Sequence, residues 1–271
     1  MIITFIDKLR VLFQVWSCIP MLPNKYKFYI LLKPMEATRY TEFAYILKFL
    51  KKMSSKQGKI LDVSSPFIMS YIFSRNNTVI KTDIYEKEKR FIKPFNNLKF
   101  ELQDATKLTY KDNTFDFVYS ISVIEHIYEK YAEAVKEMIR VAKPYSYIYL
   151  SFPASVKKTE EWLDADIYSN QFRKNNKIFF QYRFDEVSLK ELLGNLKGTE
   201  IIHQDIFWEK EDGLYELMIR KMRMRNKNKY INFLKESFIN FKYGFFILDS
   251  TPHGFDKAKN FGNVSIIIRK L

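Results

Sequence analysis

From Lys59 to Pro153 the chain alternates short apolar runs with helical patterns, and this alternation constrains the fold more than any other feature. The runs fall at 59–63, 78–83, 98–103, 115–121 and 146–152. They are rich in Val, Ile, Phe and Tyr and apolar on both faces. A strand that is apolar on both faces belongs inside a parallel sheet with helices packed above and below it. The clearest helix between them covers about 129–142, with Tyr131, Val135, Met138 and Ala142 in one stripe. Pro144 lies just beyond its end, where a helix stop is expected. Asp185 reads as an N-cap for a further helix using Leu189, Leu192 and Leu193. A strand at about 200–208 follows, and "NVSIIIRKL" closes the chain as the last strand.

The first strand runs straight into a helix in "KILDVSSPFIMSYIF", residues 59–73. A nucleotide-binding α/β fold carries a glycine-rich loop at this joint. Here Ser64, Ser65 and Pro66 stand instead. The chain has only 7 glycines, and none lies between Gly58 and Gly194. Glycine permits positive φ and close approach of backbone to ligand, whereas serine in that conformation costs about 1–2 kcal/mol. Ser65 followed by Pro66 reads as a helix start, with a capping hydroxyl and then proline at the first helical position. The partial positive charge of that helix end suits a carboxylate.

Ahead of the strands, Ile2, Phe5, Ile6, Leu9, Phe13 and Trp16 fall at helical spacing. Such a stripe packs on its own domain in most proteins; a membrane-surface role is the alternative. Asp7, Lys8 and Arg10 interrupt the segment, so it does not read as a secretory signal. No apolar run reaches the roughly 18 residues that span a bilayer. A second helix is predicted over 36–52, with Phe43, Ile46, Leu47 and Leu50 on one face, before "SSKQG" breaks it. The expected organisation is an N-terminal helical extension, 1–57, and one domain, 58–271, with inserts at 154–184 and 209–260.

The second insert carries two helical stripes. One is Leu214, Met218 and Met222; the other is Tyr230, Phe233, Leu234, Phe238 and Phe241. Arg220, Lys221, Arg223, Arg225, Lys227 and Lys229 cluster between them. The cluster reads as a solvated helix end, a lid over a substrate, or a patch for anionic lipid or phosphate. The net charge of +14 favours anionic partners in the same way, unless it reflects a general bias toward Lys and Asn. The single cysteine, Cys18, rules out an internal disulfide framework and fits a reducing compartment. The expected location is cytoplasmic, with a peripheral position at a membrane as the alternative.

Four segments resemble the class I S-adenosylmethionine-dependent methyltransferases, over about residues 58–153. "ILDVSS" is similar to the family's opening strand, in which two apolar residues, Asp, an apolar residue and Gly follow one another. "VIKTDIYEKE" ends its strand in Asp83. "ELQDATKLTYKDNTFDFVYSISVIEHI" is the most specific, with Asp104-Ala105, then "DNTFDFVYS", then Glu125-His126. "EMIRVAKPYSYIYLSFP" is similar to the family's E-x-x-R-V-L-K-P-G-G and the strand after it. The resemblance implies a Rossmann-like, doubly wound α/β fold with a mostly parallel seven-stranded sheet and an antiparallel last strand, plus N-terminal helices and a helical insert.

It also implies S-adenosylmethionine as cofactor, held at the C-terminal edge of the sheet. Asp83 would accept hydrogen bonds from both ribose hydroxyls, since a carboxylate offers acceptors and no donors; Ile84 follows it. Asp104 would accept the adenine amino group beside the Ala105 backbone. Ser120 and Ile121 end the fourth strand, where main chain lines the pocket. Asp62 would lie near the cofactor's amino group, with the Ser64 hydroxyl replacing a lost backbone contact and Ser65 opening the helix. The Asp62–Asp83 spacing is shorter than the family's, so the loop is expected to be rebuilt. "RYTEF" resembles a helix that precedes the core in some bacterial methyltransferases. There Arg39 would reach the carboxylate and Glu42 the amino group, unless the two form an ordinary helical pair.

An oxygen nucleophile needs a base. Of three histidines, His126 follows the strand that borders the pocket, with Glu125 beside it. These two are the catalytic candidates; the alternative is that they merely start a helix. No Cys/His or carboxylate set has metal-ligand spacing, so no metal site is expected. The acceptor is read as a small molecule, a glycan or a lipid-linked glycan, because the inserts are rich in Tyr, Phe, Trp and Arg. A nucleic-acid acceptor is disfavoured: there is no N/D-P-P-Y/F motif and no RNA-binding module. A nicotinamide dehydrogenase would need G-x-G-x-x-G, which is absent. A methyltransferase-like shell that binds through its basic insert without catalysis is the remaining alternative.

Overall fold

The computed structural model describes residues 1–52, 58–93, 97–165 and 172–271. The chain divides into two compact units. One holds Met1–Lys56 and Asp205–Asn263, the other Gln57–Gln204 and Val264–Leu271.

In the first unit the N-terminal helices are α1 (Phe5–Ser17), α2 (Asn24–Leu32) and α3 (Arg39–Lys52). Thr4 caps α1 with a capping box closed by Asp7. α1 buries Val11, Leu12 and Val15, together with Asp7 and Lys8. The apolar stripe expected to pack on its own domain faces outward instead. Ile2, Phe5, Ile6 and Phe13 are exposed, Phe13 by 58%. The helix is apolar on two faces, and periodicity alone marks the broader one rather than the one that packs. The α2 helix had no forecast in the sequence.

The second unit is the α/β body. Its elements are β1 (Lys59–Val63), α4 (Phe67–Ser74), β2 (Thr78–Asp83), β3 (Leu98–Leu102), β4 (Phe115–Ile121), α5 (Tyr131–Val141) and β5 (Ala142–Ala154). Next come β6 (Thr159–Leu163), β7 (Arg173–Lys174), β8 (Lys177–Arg183) and α6 (Glu186–Gly194). β9 (Thr199–Trp208) and β10 (Gly262–Lys270) complete the main sheet, and the unit boundary falls within each of them. The sheet has seven strands in the order β3-β2-β1-β4-β5-β10-β9. β1 pairs in parallel with β2 and with β4, and β2 with β3, while the last strand is antiparallel. Leu61, Val63, Val118, Tyr119, Ile121, Ile148 and Leu150 are fully buried, each apolar one contributing about 1.5–3 kcal/mol.

The insert at 154–184 supplies a small antiparallel sheet in the order β6-β8-β7, which the sequence did not announce. Aromatic rings weld it to the segment after β4: Tyr128 stacks on Phe172 at 4.0 Å, and Tyr131 meets Tyr182 edge-on at 5.4 Å. Asp185 caps α6 as expected. Arg140 of α5 grips Glu137 and the carbonyls of Leu108 and Tyr110, and so fixes the loop that feeds β4. Back in the first unit, α7 (Leu214–Arg223) and α8 (Lys229–Phe246) follow β9. Gly244 lets α8 lie on Tyr40 of α3; a Cβ there would come within 2.4 Å of the ring. Lys8 donates through Nζ to the Phe245 carbonyl at 3.2 Å.

Candidate active site

Strand register builds the site. Asp62 of β1 stands level with Lys81 of β2 and with Tyr119 of β4. Residues level with each other in parallel strands share a face, so one carboxylate, one ammonium and one phenol meet inside the sheet. All three are buried. Asp62 accepts from Tyr119 Oη at 2.7 Å, from the Ser65 backbone N–H at 2.9 Å and from the Ser70 hydroxyl of α4. Lys81 Nζ lies 3.8 Å from Asp62 Oδ1 and donates to the Ser65 carbonyl at 2.5 Å. Burial, with the Asp62 charge beside it, pushes the Tyr119 hydroxyl far above its ordinary pKa, so it remains a donor.

This network holds the glycine-free joint. Ser64 adopts φ +55°, the left-handed conformation that glycine would take without strain, and its N–H donates to the Thr82 carbonyl at 3.0 Å. The Ser65 hydroxyl accepts from the Ile121 backbone N–H at 3.0 Å, tying the joint to the end of β4. The Ser120 hydroxyl donates to the Val63 carbonyl at 3.2 Å. Two expectations change here. The helix opens at Phe67 with Pro66 as its cap residue, so Ser65 does not cap it. The reason is that its hydroxyl is already committed to β4. Asp62 is likewise committed to protein partners, so its part is to shape the loop rather than to face a ligand as an open acceptor.

Asp83 ends β2, two residues beyond Lys81 and on the same face. It is buried, and its Oδ1 accepts from the Tyr85 N–H at 2.9 Å. Burial raises its pKa despite the opposing charge of Lys81 and that hydrogen bond. Glu88 in the following turn is raised as well, by burial and then by Asp83. Ile84 is exposed beside Asp83. The Gln103 N–H donates to the Asp83 carbonyl at 3.0 Å, which sets Asp104 next to this strand tip. Asp104 Oδ1 accepts from the Thr106 N–H at 2.8 Å and the Thr106 hydroxyl at 2.7 Å, an Asx turn that fixes the loop around Ala105.

β4 turns sharply at Ser122, φ +49°, into a 3-10 turn over Ile124–His126. His126 Nδ1 lies 2.5 Å from the Phe180 carbonyl of β8. A carbonyl only accepts, so Nδ1 carries the proton and Nε2 presents its lone pair. The Glu125 carboxylate is buried, with Oε1 3.8 Å from Nε2. That distance is too long for a hydrogen bond. Arg39 belongs to the first unit. Its guanidinium meets Glu42 at 2.6 Å, and Glu42, fully buried, also accepts from Asn263 at 3.0 Å.

Sequence reasoning missed Lys81, Ser70 and Tyr119. Lys81 left a signal, since a lysine beside Val79 and Ile80 in a strand read as buried must find a buried partner. The role of Phe180 left none, because it acts through its backbone. Among the described residues no cluster of His, Cys, Asp or Glu is arranged to hold a metal ion.

A mostly parallel sheet in this order, with acidic side chains at neighbouring strand tips, is a doubly wound α/β fold, which binds ligands at the C-terminal edge of its strands. Residues 63–150 match the family model described as "Methyltransferase domain". Those residues form a methyltransferase domain, and the fold is that of the class I S-adenosylmethionine-dependent methyltransferases. Norajmaline N-methyltransferase of Rauvolfia serpentina is 49% identical over 47 residues, which are 17% of this chain and 16% of that protein. The chain thus matches about one-sixth of the length of this curated relative. The structure of coclaurine N-methyltransferase bound to N-methylheliamine and SAH superposes with a TM-score of 0.53 at 11% identity, over 84% of this chain and 72% of that one. A protein from Galdieria sulphuraria, assigned as a sarcosine dimethylglycine methyltransferase, gives 0.50 at 13% identity, over 86% and 85%. At these identities the likeness is one of fold.

Proposed function

We propose that the chain transfers a methyl group from S-adenosylmethionine to a hydroxyl or amine of a small-molecule, glycan or lipid-linked acceptor. The observation that carries this reading is Asp83. It is a buried carboxylate at the tip of β2 whose Oδ1 accepts from the Tyr85 N–H and whose pKa burial raises. Two vicinal hydroxyls would add donors to the ionised form, and ribose offers such a pair. The residues fit the cofactor in this respect without glycine, because the network of Asp62, Lys81 and Ser65 holds the loop backbone that glycine would otherwise relax. Asp83 would hold the ribose, the Asp104–Ala105 turn the adenine, and the Ser64–Ser65 turn with the start of α4 the carboxylate end.

The bound cofactor supplies an electrophilic methyl group on a sulfonium. What remains for the protein is alignment, for which positioning alone contributes about 7–11 kcal/mol, and removal of a proton from the acceptor. His126 suits that proton transfer. Phe180 fixes its tautomer, Nε2 is the accepting atom, and Glu125 stabilises the cation that results.

Calorimetry with S-adenosylmethionine and with its demethylated product tests the reading. Binding that Asp83→Ala abolishes supports it. A folded sample that takes up neither ligand overturns it and leaves a binding protein with a methyltransferase fold.

A further inference from the structure

The two apolar stripes most prominent in the sequence are both turned to solvent, and both lie in the first unit. On α1 the exposed set is Phe5, Ile6 and Phe13; on α8 it is Tyr230, Leu234, Phe238 and Phe241, with Tyr230 exposed by 82% and Phe238 by 67%. At about 100° per residue each set occupies one side of its helix. Near the end of α8 the exposed Phe5 ring lies 4.8 Å from Phe245, which is itself buried, and 6.4 Å from the exposed Phe246, so the two exposed stripes adjoin there. Exposed aromatic and aliphatic side chains gathered on neighbouring helices mark an interaction surface.

Its charge identifies the occupant. Residues 1–33 and 214–246 contain, besides the buried Lys8, twelve Lys and Arg against Asp7, Glu216 and Glu236. Asp7 is held by Lys48, and Glu236 by Lys33 and Arg225. Lys229 adjoins Tyr230 and Lys242 adjoins Phe241, both exposed, so cations fringe the stripe along its length. A second copy of this chain would bring like charge against like charge around the same face. A sheet of anionic lipid headgroups over hydrocarbon complements both parts at once: cations at the phosphate level, and Phe, Leu and Tyr at the acyl boundary. Among the described residues no helix is long and apolar enough to cross a membrane, so the helices would lie in the plane of the surface.

We propose that α1 and α8 form an in-plane attachment site for an anionic lipid bilayer. The inference is independent of the methyl-transfer reading.

Flotation of the full chain with vesicles of phosphatidylcholine alone, and with about one-third phosphatidylglycerol, tests it. Binding to the anionic vesicles is expected, falling as salt rises. Leu234→Gln with Phe238→Gln removes apolar contact, and Lys227→Gln with Lys229→Gln and Lys242→Gln removes charge. Each set changes exposed side chains only and is checked for folding by circular dichroism. Each is expected to weaken binding roughly tenfold or more. Brominated lipid is expected to quench the fluorescence of Trp16, which lies on the α1 stripe. The proposal is overturned if the wild type ignores anionic vesicles at low salt, or if the apolar variant binds as the wild type does. It is equally overturned if the wild type is a dimer in solution that Leu234→Gln with Phe238→Gln makes monomeric, for then a second copy covers the face.

Discussion

Lys81 Nζ sits 2.5 Å from the Ser65 carbonyl oxygen, with Asp62 Oδ1 3.8 Å away, all inside the protein. A lysine from the neighbouring strand thus does what glycine does in related loops: it makes one backbone path through a sharp joint favourable. Removing it leaves a buried carboxylate without its cation. Lys81→Met should destabilise the α/β unit by about 3–5 kcal/mol, measured by urea unfolding, and adding Asp62→Asn should restore part of that loss. Single and double variants of equal stability would deny the coupling.

Ser64 holds φ +55° with a Cβ in place. Relief of left-handed strain is set against the greater chain entropy of glycine. Ser64→Gly should therefore gain about 0.5–1 kcal/mol in stability, with cofactor affinity unchanged or tighter. A loss of stability in thermal unfolding would mean that the serine hydroxyl contributes more than its backbone strain costs.

Asp83 carries a pKa raised by burial. Its folded value lies above its unfolded value, so the favourable contribution is complete only at low pH and is lost as pH rises through the folded value. At neutral pH the ionised carboxylate is a cost. Asp83→Asn should therefore leave the ligand-free protein as stable or more stable at neutral pH, while weakening cofactor binding at least about tenfold. Affinity of the wild type should fall toward acid as Asp83 takes up a proton. Melting curves with and without ligand across the acid range separate the two effects.

Lys8 is buried against the Phe245 carbonyl, and burial, then the charge of Lys210, lowers its pKa to about 8. Between about 8 and the ordinary 10.5 the unfolded chain binds more protons than the folded one, so stability rises with pH across that window. Below it the ammonium is a standing penalty. Lys8→Met should stabilise the unit containing α1 by about 1–2 kcal/mol at neutral pH, after loss of the hydrogen bond, and should flatten the alkaline rise. Denaturant midpoints at neutral and alkaline pH give both quantities.

His126→Ala should slow turnover about 100-fold or more and leave cofactor affinity intact, once an acceptor is in hand. His126→Gln keeps a polar side chain but cannot take the proton, so it should be as slow. Turnover equal to the wild type in either variant would remove His126 from the chemistry.

The strands were legible because each is a burial pattern written in local sequence. β1 and β2 fall at the residues their apolar runs mark, and α6 begins at the capping aspartate. The three-stranded insert was not legible, since it is held by rings such as Tyr128 and Phe172 that lie far apart in sequence. The outward stripes of α1 and α8 were legible as stripes, but periodicity does not say which side of a helix meets the core. Among the described residues seven other than glycine adopt positive φ, Ser64, Ser122 and Tyr145 among them. They follow from a chain poor in glycine: where the fold demands that conformation, another residue must accept it.

By itself, then, the sequence determined the order of strands and helices from β1 to β5 and the acidic residues at the strand tips, because both follow from side-chain chemistry repeated at short range. Only the tertiary structure decided how a joint without glycine is held, what Asp62 touches and which helix faces stay exposed. Those outcomes depend on register between strands and on contacts between distant segments, and short-range pattern carries no information about either.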